Sequence, residues 1–451
     1  MTVQRFQMPA ADASTPVRFP PVVRDTLDNG LTVRLIPQAT VPVVTVAVVL
    51  QRGTADDPAD RHGLASLTAD LLDEGAGART AIEVAEAFGH LGTELDVDVG
   101  PDATSLAVTT LVRHLDEVLD LLADIVMRPR LEPDDFQRVC ELRTNRLRQL
   151  SRLPGAAADR AMAAAVFGSH PYGHGSLGTT AALAASSVDD ARGFWSAMYR
   201  PTECAVIAAG AIDANAVQRS VERAFGSWAG GAARPFPSSP AVSADPRILF
   251  VDRPGAPQCE VRVGHIGPPR RVDDYHALVT VNALLGGQFT SRINRRLREE
   301  KGVTYGARSA FDFRRAAGLF SCETSVQTDR AAEAVGDILA ELEDVRRDSA
   351  IALDELERAK ASLTRGYVRS FETPSQLARA AALLVTYGLD EATFDRFVPC
   401  VEAVTSADVH AVARTYIRPS DVTVVIVGDA AGTGPDLDGL GRTVDMVSPE
   451  F

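Results

Sequence analysis

The chain has 451 residues, 45% hydrophobic and 24% charged, the balance of a folded globular protein too long for one ordinary core, so two or more domains are expected. Its formal net charge of −14 argues against a nucleic-acid binder, whose surface is basic, and suits a tolerance for basic peptides.

In chain order, residues 1–20 are polar and proline-containing and read as an extended arm. Leu31–Ile36 and Val43–Leu50 are rich in β-branched residues and predict strands. Gly63–Leu72 predicts a helix with Leu64, Leu67 and Leu71 on one face. Thr80 and Glu83 form a capping box for a helix that ends near Gly92. Ser105–Val112 alternates as a strand, and Leu115, Val118, Leu122 and Ile125 mark an amphipathic helix. His170 and His174 have helical spacing, but Pro171 and Gly173 between them predict a structural loop without a metal role. The other histidines, His62 among them, have no second histidine near in sequence. Residues 229–246, AGGAARPFPSSPAVSADP, have no periodicity and read as a linker. Arg253–Gln258 predicts a turn feeding a strand.

The stretch Leu284–Gly306 reads LLGGQFTSRINRRLREEKGVTYG. Gly286-Gly287 ends an apolar helix, and Phe289, Ile293 and Leu297 at four-residue spacing predict a second helix with one buried face. Arg292, Arg295, Arg296 and Arg298 fall off that face, and Gly302 is placed as a C-cap. Tyr305 then opens an extended run, so Arg298 and Tyr305 can face one cleft. From the residues alone, Arg298 reads as a solvated helix residue and Tyr305 as half-buried packing.

The chain repeats itself. The spacing Leu115, Val118, Leu122, Ile125 recurs as Ala332, Val335, Leu339, Leu342. Arg200-Pro201 with its apolar run and closing glycine recurs as Arg418-Pro419 at nearly the same offset. The expected organisation is an arm (1–20), a first domain (21–229), a linker (230–246), a second domain (247–430) and a tail (431–451). The fold class is α+β, with two homologous domains, each a mainly antiparallel sheet with helices packed on one face.

The five cysteines, Cys140, Cys204, Cys259, Cys322 and Cys400, are scattered, odd in number and without a CxxC pair, and read as small buried hydrophobes. No apolar run approaches the about 20 residues of a membrane span. The N-terminal stretch has no signal-peptide core, so a cytoplasmic location is expected, or a periplasmic one if a signal has been removed. There is no GxSxG elbow, Walker loop or GxGxxG fingerprint.

The Leu284–Gly306 pattern resembles the second half of the pitrilysin or mitochondrial-processing-peptidase family, the inverted zinc peptidases. The resemblance implies that Arg298 and Tyr305 hold the backbone of a peptide substrate. It also implies a helix in the first half carrying HxxEH, with two zinc-ligating histidines and a water-polarising glutamate. The corresponding helix here has Ser66 and Asp70 at the histidine positions and Ala69 at the glutamate position. Leu142–Leu150, where a third ligand is sought, holds no carboxylate, and Glu141 is the nearest. The expectation is therefore no catalytic residue and no cofactor in this chain, with zinc in a homologous HxxEH-bearing partner. The resemblance implies a heterodimer in which this chain is the non-catalytic, substrate-binding subunit. The alternative is a scaffold subunit of a larger assembly that does not touch peptide.

Overall fold

The computed structural model describes residues 16–236, 246–347 and 351–451. The first half contributes β1 (Val23–Thr26), β2 (Thr32–Pro37), β3 (Val43–Leu50), a small β4–β5 ladder (Gly75–Ala76, Arg79–Thr80), β6 (Asp96–Val99), β7 (Thr104–Leu111) and β8 (Cys204–Gly210). The second contributes β9 (Ile248–Asp252), β10 (Gln258–Gly267), β11 (Thr304–Asp312), β12 (Gly318–Gln327), β13 (Thr423–Gly428) and β14 (Val444–Met446). Each half builds a six-stranded sheet, in the orders β1-β2-β8-β3-β7-β6 and β11-β12-β10-β13-β9-β14. Read from opposite ends, the two orders match β2, β8, β3, β7 and β6 with β9, β13, β10, β12 and β11, while the outer strands β1 and β14 come from opposite ends of their halves. Both sheets are mainly antiparallel, and a parallel pair recurs at the same place, β2 with β8 and β9 with β13; the second sheet adds a further parallel pair, β9 with β14. The α+β class and the two homologous halves are borne out.

The first-half helices are α1 (Leu64–Asp70), α2 (Ala81–His90), α3 (Leu115–Met127), α4 (Pro133–Leu150), α5 (Pro154–Phe167), α6 (Thr180–Ala185), α7 (Val188–Met198) and α8 (Ala214–Phe225). The second-half helices are α9 (Tyr275–Leu285), α10 (Arg292–Asn294), α11 (Ala331–Asp344), α12 (Leu353–Thr364), α13 (Pro374–Tyr387), α14 (Ala392–Ala403), α15 (Ser406–Tyr416) and α16 (Ala430–Leu437). The repeat extends to their caps: Ser187–Asp190 and Thr405–Asp408 form equivalent capping boxes on α7 and α15.

Strands β3, β8 and β13 are continuous apolar runs because both of their faces are covered. Val44, Val46 and Val48 meet the first half's own helices through Leu67, Val118 and Leu122. Ala47, Val49, Ala205 and Ile207 face the other way, onto Leu377, Ala381 and Leu384 of α13 from the second half. The exchange is reciprocal. Alanine-rich α5 lays Ala157, Ala158, Ala161 and Met162 against Leu249, Val251, Val425 and Val427 of the second sheet. Each half's own helices thus form one layer, and the opposite face is closed by a helix lent by the other half.

Three segments differ from expectation. The end of the arm is anchored: Val17 and Phe19 are buried, and the Phe19 amide donates to Asp395 Oδ1 at 2.7 Å. The described start of the linker is tied down, because the Arg234 amide donates to Glu203 Oε1 at 2.8 Å; residues 237–245 lie outside the described residues. The expected tail carries most of α16 and strand β14, which pairs in parallel with β9, because Val444 continues the apolar edge of the second sheet. No helix among the described residues is long and apolar enough to cross a membrane.

Candidate functional site: a groove beside a free sheet edge

Arg298 and Tyr305 line one groove of about 620 Å³, together with Gly287, Phe289, Asn294 and Glu323. It lies beside β11, an edge strand of the second sheet. Tyr305 is 98% exposed, which rules out the packing role that its sequence context suggests. The β11–β12 register shifts between Thr304 and Ala307, a bulge that carries Tyr305 outward. Arg298 lies in a π-helical turn, Arg295–Glu300, that continues α10. Both wide turns and bulges re-aim side chains, and here the two flank the same groove. Arg298 Nη2 donates to Glu299 Oε1 at 2.8 Å and to the Phe289 carbonyl at 3.4 Å.

Two expectations for this stretch fail. Phe289 is not on the buried face with Ile293 and Leu297; it precedes the helix and is 72% exposed. Its guanidinium neighbour explains why: the Arg298 carbon sits 3.3 Å from the ring centre. Arg292 is not solvated. It is buried, with Nε donating to Glu355 Oε1 at 2.7 Å and Nη2 to Oε2 at 2.8 Å, a fork-to-carboxylate pair that ties α10 to α12.

Asn294, which the sequence reading passed over, joins the parts of the groove. Its buried amide donates to the Gln288 carbonyl at 3.1 Å and the Ala307 carbonyl at 2.6 Å, and its oxygen accepts from the Ala307 amide at 2.8 Å. One side chain therefore links the loop bearing Phe289, the helix bearing Arg298 and the strand bearing Tyr305. The loop must be glycine. A Cβ on Gly286 would lie 2.7 Å from the Ser309 amide nitrogen, and one on Gly287 would lie 2.9 Å from the Asn282 carbonyl oxygen. A larger cleft of about 1110 Å³ lies between α13 and edge strand β6, with Glu94, Asp96 and Asp98 on its rim, and contains neither member of the pair.

The first-half helix α1 is closed by a guanidinium. Arg143 of α4 is 4% exposed and donates from Nη1 to Ser66 Oγ at 2.8 Å and to the Gly63 carbonyl at 3.1 Å. Its Nη2 pairs with Asp70. Ser66 Oγ in turn donates to the Ser176 carbonyl at 2.5 Å, and Ala69 is fully buried. The chain thus brings Ser66, Asp70 and Arg143 together, with no water-polarising side chain at position 69.

At the start of α1, the His62 and His174 rings stack with centroids 4.1 Å apart, a contact that sequence distance hides. Asp57 accepts from the Gly63 and Ala65 amides at 2.6 Å each, and its carboxylate lies 3.8 Å from His174 Nδ1. Burial pushes Asp57 up to about 7 and His174 down to about 4. Both groups are thus neutral between those values. Among the described residues, no three His, Cys, Asp or Glu side chains converge as a metal site.

The comparisons with known proteins cover both halves. Residues 32–180 match the model for insulinase, peptidase family M16, and residues 186–363 match the model for the peptidase M16 inactive domain. The chain belongs to peptidase family M16. An M16 relative from Mycobacterium tuberculosis, described as an uncharacterized zinc protease, is 28% identical over 90% of this chain and 93% of its own. The uncharacterized zinc protease YmxG of Bacillus subtilis is 24% identical over 87% of this chain and 95% of its own. Among solved structures, a peptidase M16 inactive domain from Pseudomonas fluorescens superposes with a TM-score of 0.85 at 19% identity, covering 91% of this chain and 98% of that one. A protease from Helicobacter pylori has the same TM-score at 21% identity, covering 91% and 100%. These two establish the fold.

The zinc that the M16 family implies does not suit the donor set around α1. Zinc takes imidazole, thiolate or carboxylate ligands. Here a hydroxyl, a methyl and one carboxylate meet, and the carboxylate already holds a buried guanidinium. A dication beside Arg143 would add charge repulsion in a buried space.

Proposed function

We propose that this chain is the non-catalytic, peptide-holding subunit of a two-chain M16 zinc peptidase. The observation that carries the reading is Tyr305: a fully presented phenol, beside Arg298, on a groove along an unpaired sheet edge. An extended peptide adds to such an edge through its own backbone. Arg298 donates to a peptide carbonyl. Tyr305 places its hydroxyl near the oxyanion that develops at the scissile carbonyl. The partner, a homologue with an intact HxxEH, supplies the zinc and the attacking water. The filled helix α1 supports this division of labour, since it offers no group able to activate water.

The test is peptide digestion by the pure chain, with and without added zinc, and again after mixing with an HxxEH-bearing homologue encoded nearby. The expected result is EDTA-sensitive cleavage in the mixture alone. EDTA-sensitive cleavage by the pure chain contradicts the proposal. A scaffold role is the outcome if the chain co-purifies with a large assembly whose peptidase activity survives its removal.

A further inference from the structure

We infer that Phe289 is a positioning residue for Arg298, holding its guanidinium ready for a peptide carbonyl; this rests on the groove reading above. Phe289 is 72% exposed, so burial of its own surface is a weak reason for its orientation. Its ring instead covers the guanidinium, 3.3 Å from ring centre to carbon, and the Arg298 side chain is left only 16% exposed although it lies on the rim of an open groove. The Phe289 carbonyl takes Nη2 of the same guanidinium at 3.4 Å, so one residue holds it by both face and edge. Stacking occupies the face of the plane and leaves its edge donors free. Among the described residues, only Nη2 is engaged in hydrogen bonds, to Phe289 and Glu299. Nε and Nη1 remain for a ligand.

The position of Phe289 is itself fixed from behind. Asn294 binds the Gln288 carbonyl, and the Gly286 carbonyl accepts from the Ser309 amide at 3.0 Å. The loop is thus braced on both β11 and α10. A long side chain that is ordered before binding does not lose its rotamer freedom at the moment of binding. On this account Phe289 raises the affinity of the groove for peptide without contacting the reacting atoms.

The experiment compares Phe289→Leu, which keeps apolar bulk but has no ring face, with Phe289→Tyr and Phe289→Trp, which keep the face. The probe is the fluorescein-labelled oxidised insulin B chain, an unstructured model peptide, and the readout is anisotropy on the full chain. The expected result is binding weakened roughly three- to tenfold in Phe289→Leu and restored in the Tyr and Trp variants, with unchanged melting. In NMR spectra the Arg298 Hδ signals should be shifted upfield by the ring in the wild type and lose that shift in Phe289→Leu. Arg298→Ala serves as the reference. If it weakens binding while Phe289→Leu does not, the positioning role is overturned and the groove reading stands. If the wild type fails to bind, or Arg298→Ala binds as well as the wild type, the groove reading falls and this inference falls with it.

Discussion

Arg143 shows what a single side chain decides. It stands between Ser66 and Asp70, so restoring ligands on α1 alone should not restore a metal site. The triple substitution Ser66→His, Ala69→Glu, Asp70→His is expected to bind zinc no better than the wild type. Adding Arg143→Glu, which removes the cation and supplies a carboxylate, should produce tight binding in competition against a zinc indicator. Tight binding by the triple variant would show that Arg143 does not block the site. That positions 66, 69 and 70 do not carry the residues of an HxxEH helix is legible in the sequence because they sit inside a recognisable helix frame. The guanidinium is not, because its contact runs between two helices far apart in the chain. Phe289 misleads in the opposite way: its spacing matches Ile293 and Leu297, but the helix begins after it.

His174 gives a pH dependence at the same scale. An imidazole held neutral down to about 4, against an ordinary value of 6.5, leaves the unfolded chain binding the extra proton between those values. The His174 contribution to stability should therefore fall as pH is lowered from about 6.5 towards 4. Asp57, held up to about 7, contributes in the opposite sense, so the His174 part is read from the difference between wild type and variant. The groups facing His174 are Asp57, His62 and Arg160, and burial raises Asp57 to about 7, so that carboxyl does not rescue an imidazolium. In melting curves across this range, His174→Gln should lose less stability than the wild type. Equal losses would place the titration elsewhere; buried His265, also held down to about 4, is the other contributor.

Among the elements, the Gly286–Ser291 loop, the π-helical turn and the β11 bulge act together. Gly286→Ala drives a methyl into the Ser309 backbone and should cost about 1–3 kcal/mol in denaturant unfolding. An unchanged midpoint would mean that the loop is free to move, which would undercut its role in setting Arg298. The helix stop at Gly302 and the strand at Tyr305 are readable from residue type. The π-turn and the bulge are not, since both arise from how α10 and β11 meet across Asn294. Strand β14 escaped for a related reason: Val444–Met446 is too short to show a period and is a strand only because β9 offers it an edge.

For the whole molecule, the internal repeat foretold two matching halves, and strand order bears this out down to the parallel pair. What the repeat does not disclose is the exchange of α5 and α13, because an apolar helix carries no mark of which sheet it will cover. The halves are also clasped by a buried network. Tyr172 donates to Asp102 Oδ1 at 2.5 Å, and Asp102 Oδ2 accepts from the Arg315 amide at 2.7 Å. Burial and the adjacent Asp102 carboxylate push the Tyr172 phenol well up from its ordinary value, so it stays a donor. Tyr172→Phe should cost about 1–3 kcal/mol while keeping a single unfolding transition, because the exchanged helices still join the halves. Two separate transitions would mean that the exchange alone does not couple them.

The two halves, joined by the exchanged helices, present a groove along β11, and Arg143 occupies the space between Ser66 and Asp70. The measurement that bears most directly on this account is kcat/KM of the proposed two-chain complex carrying Arg298→Ala or Tyr305→Phe in this chain. The account predicts a loss on the order of 10²-fold for each, with complex formation unchanged. Turnover and affinity equal to the wild type in both variants would contradict it.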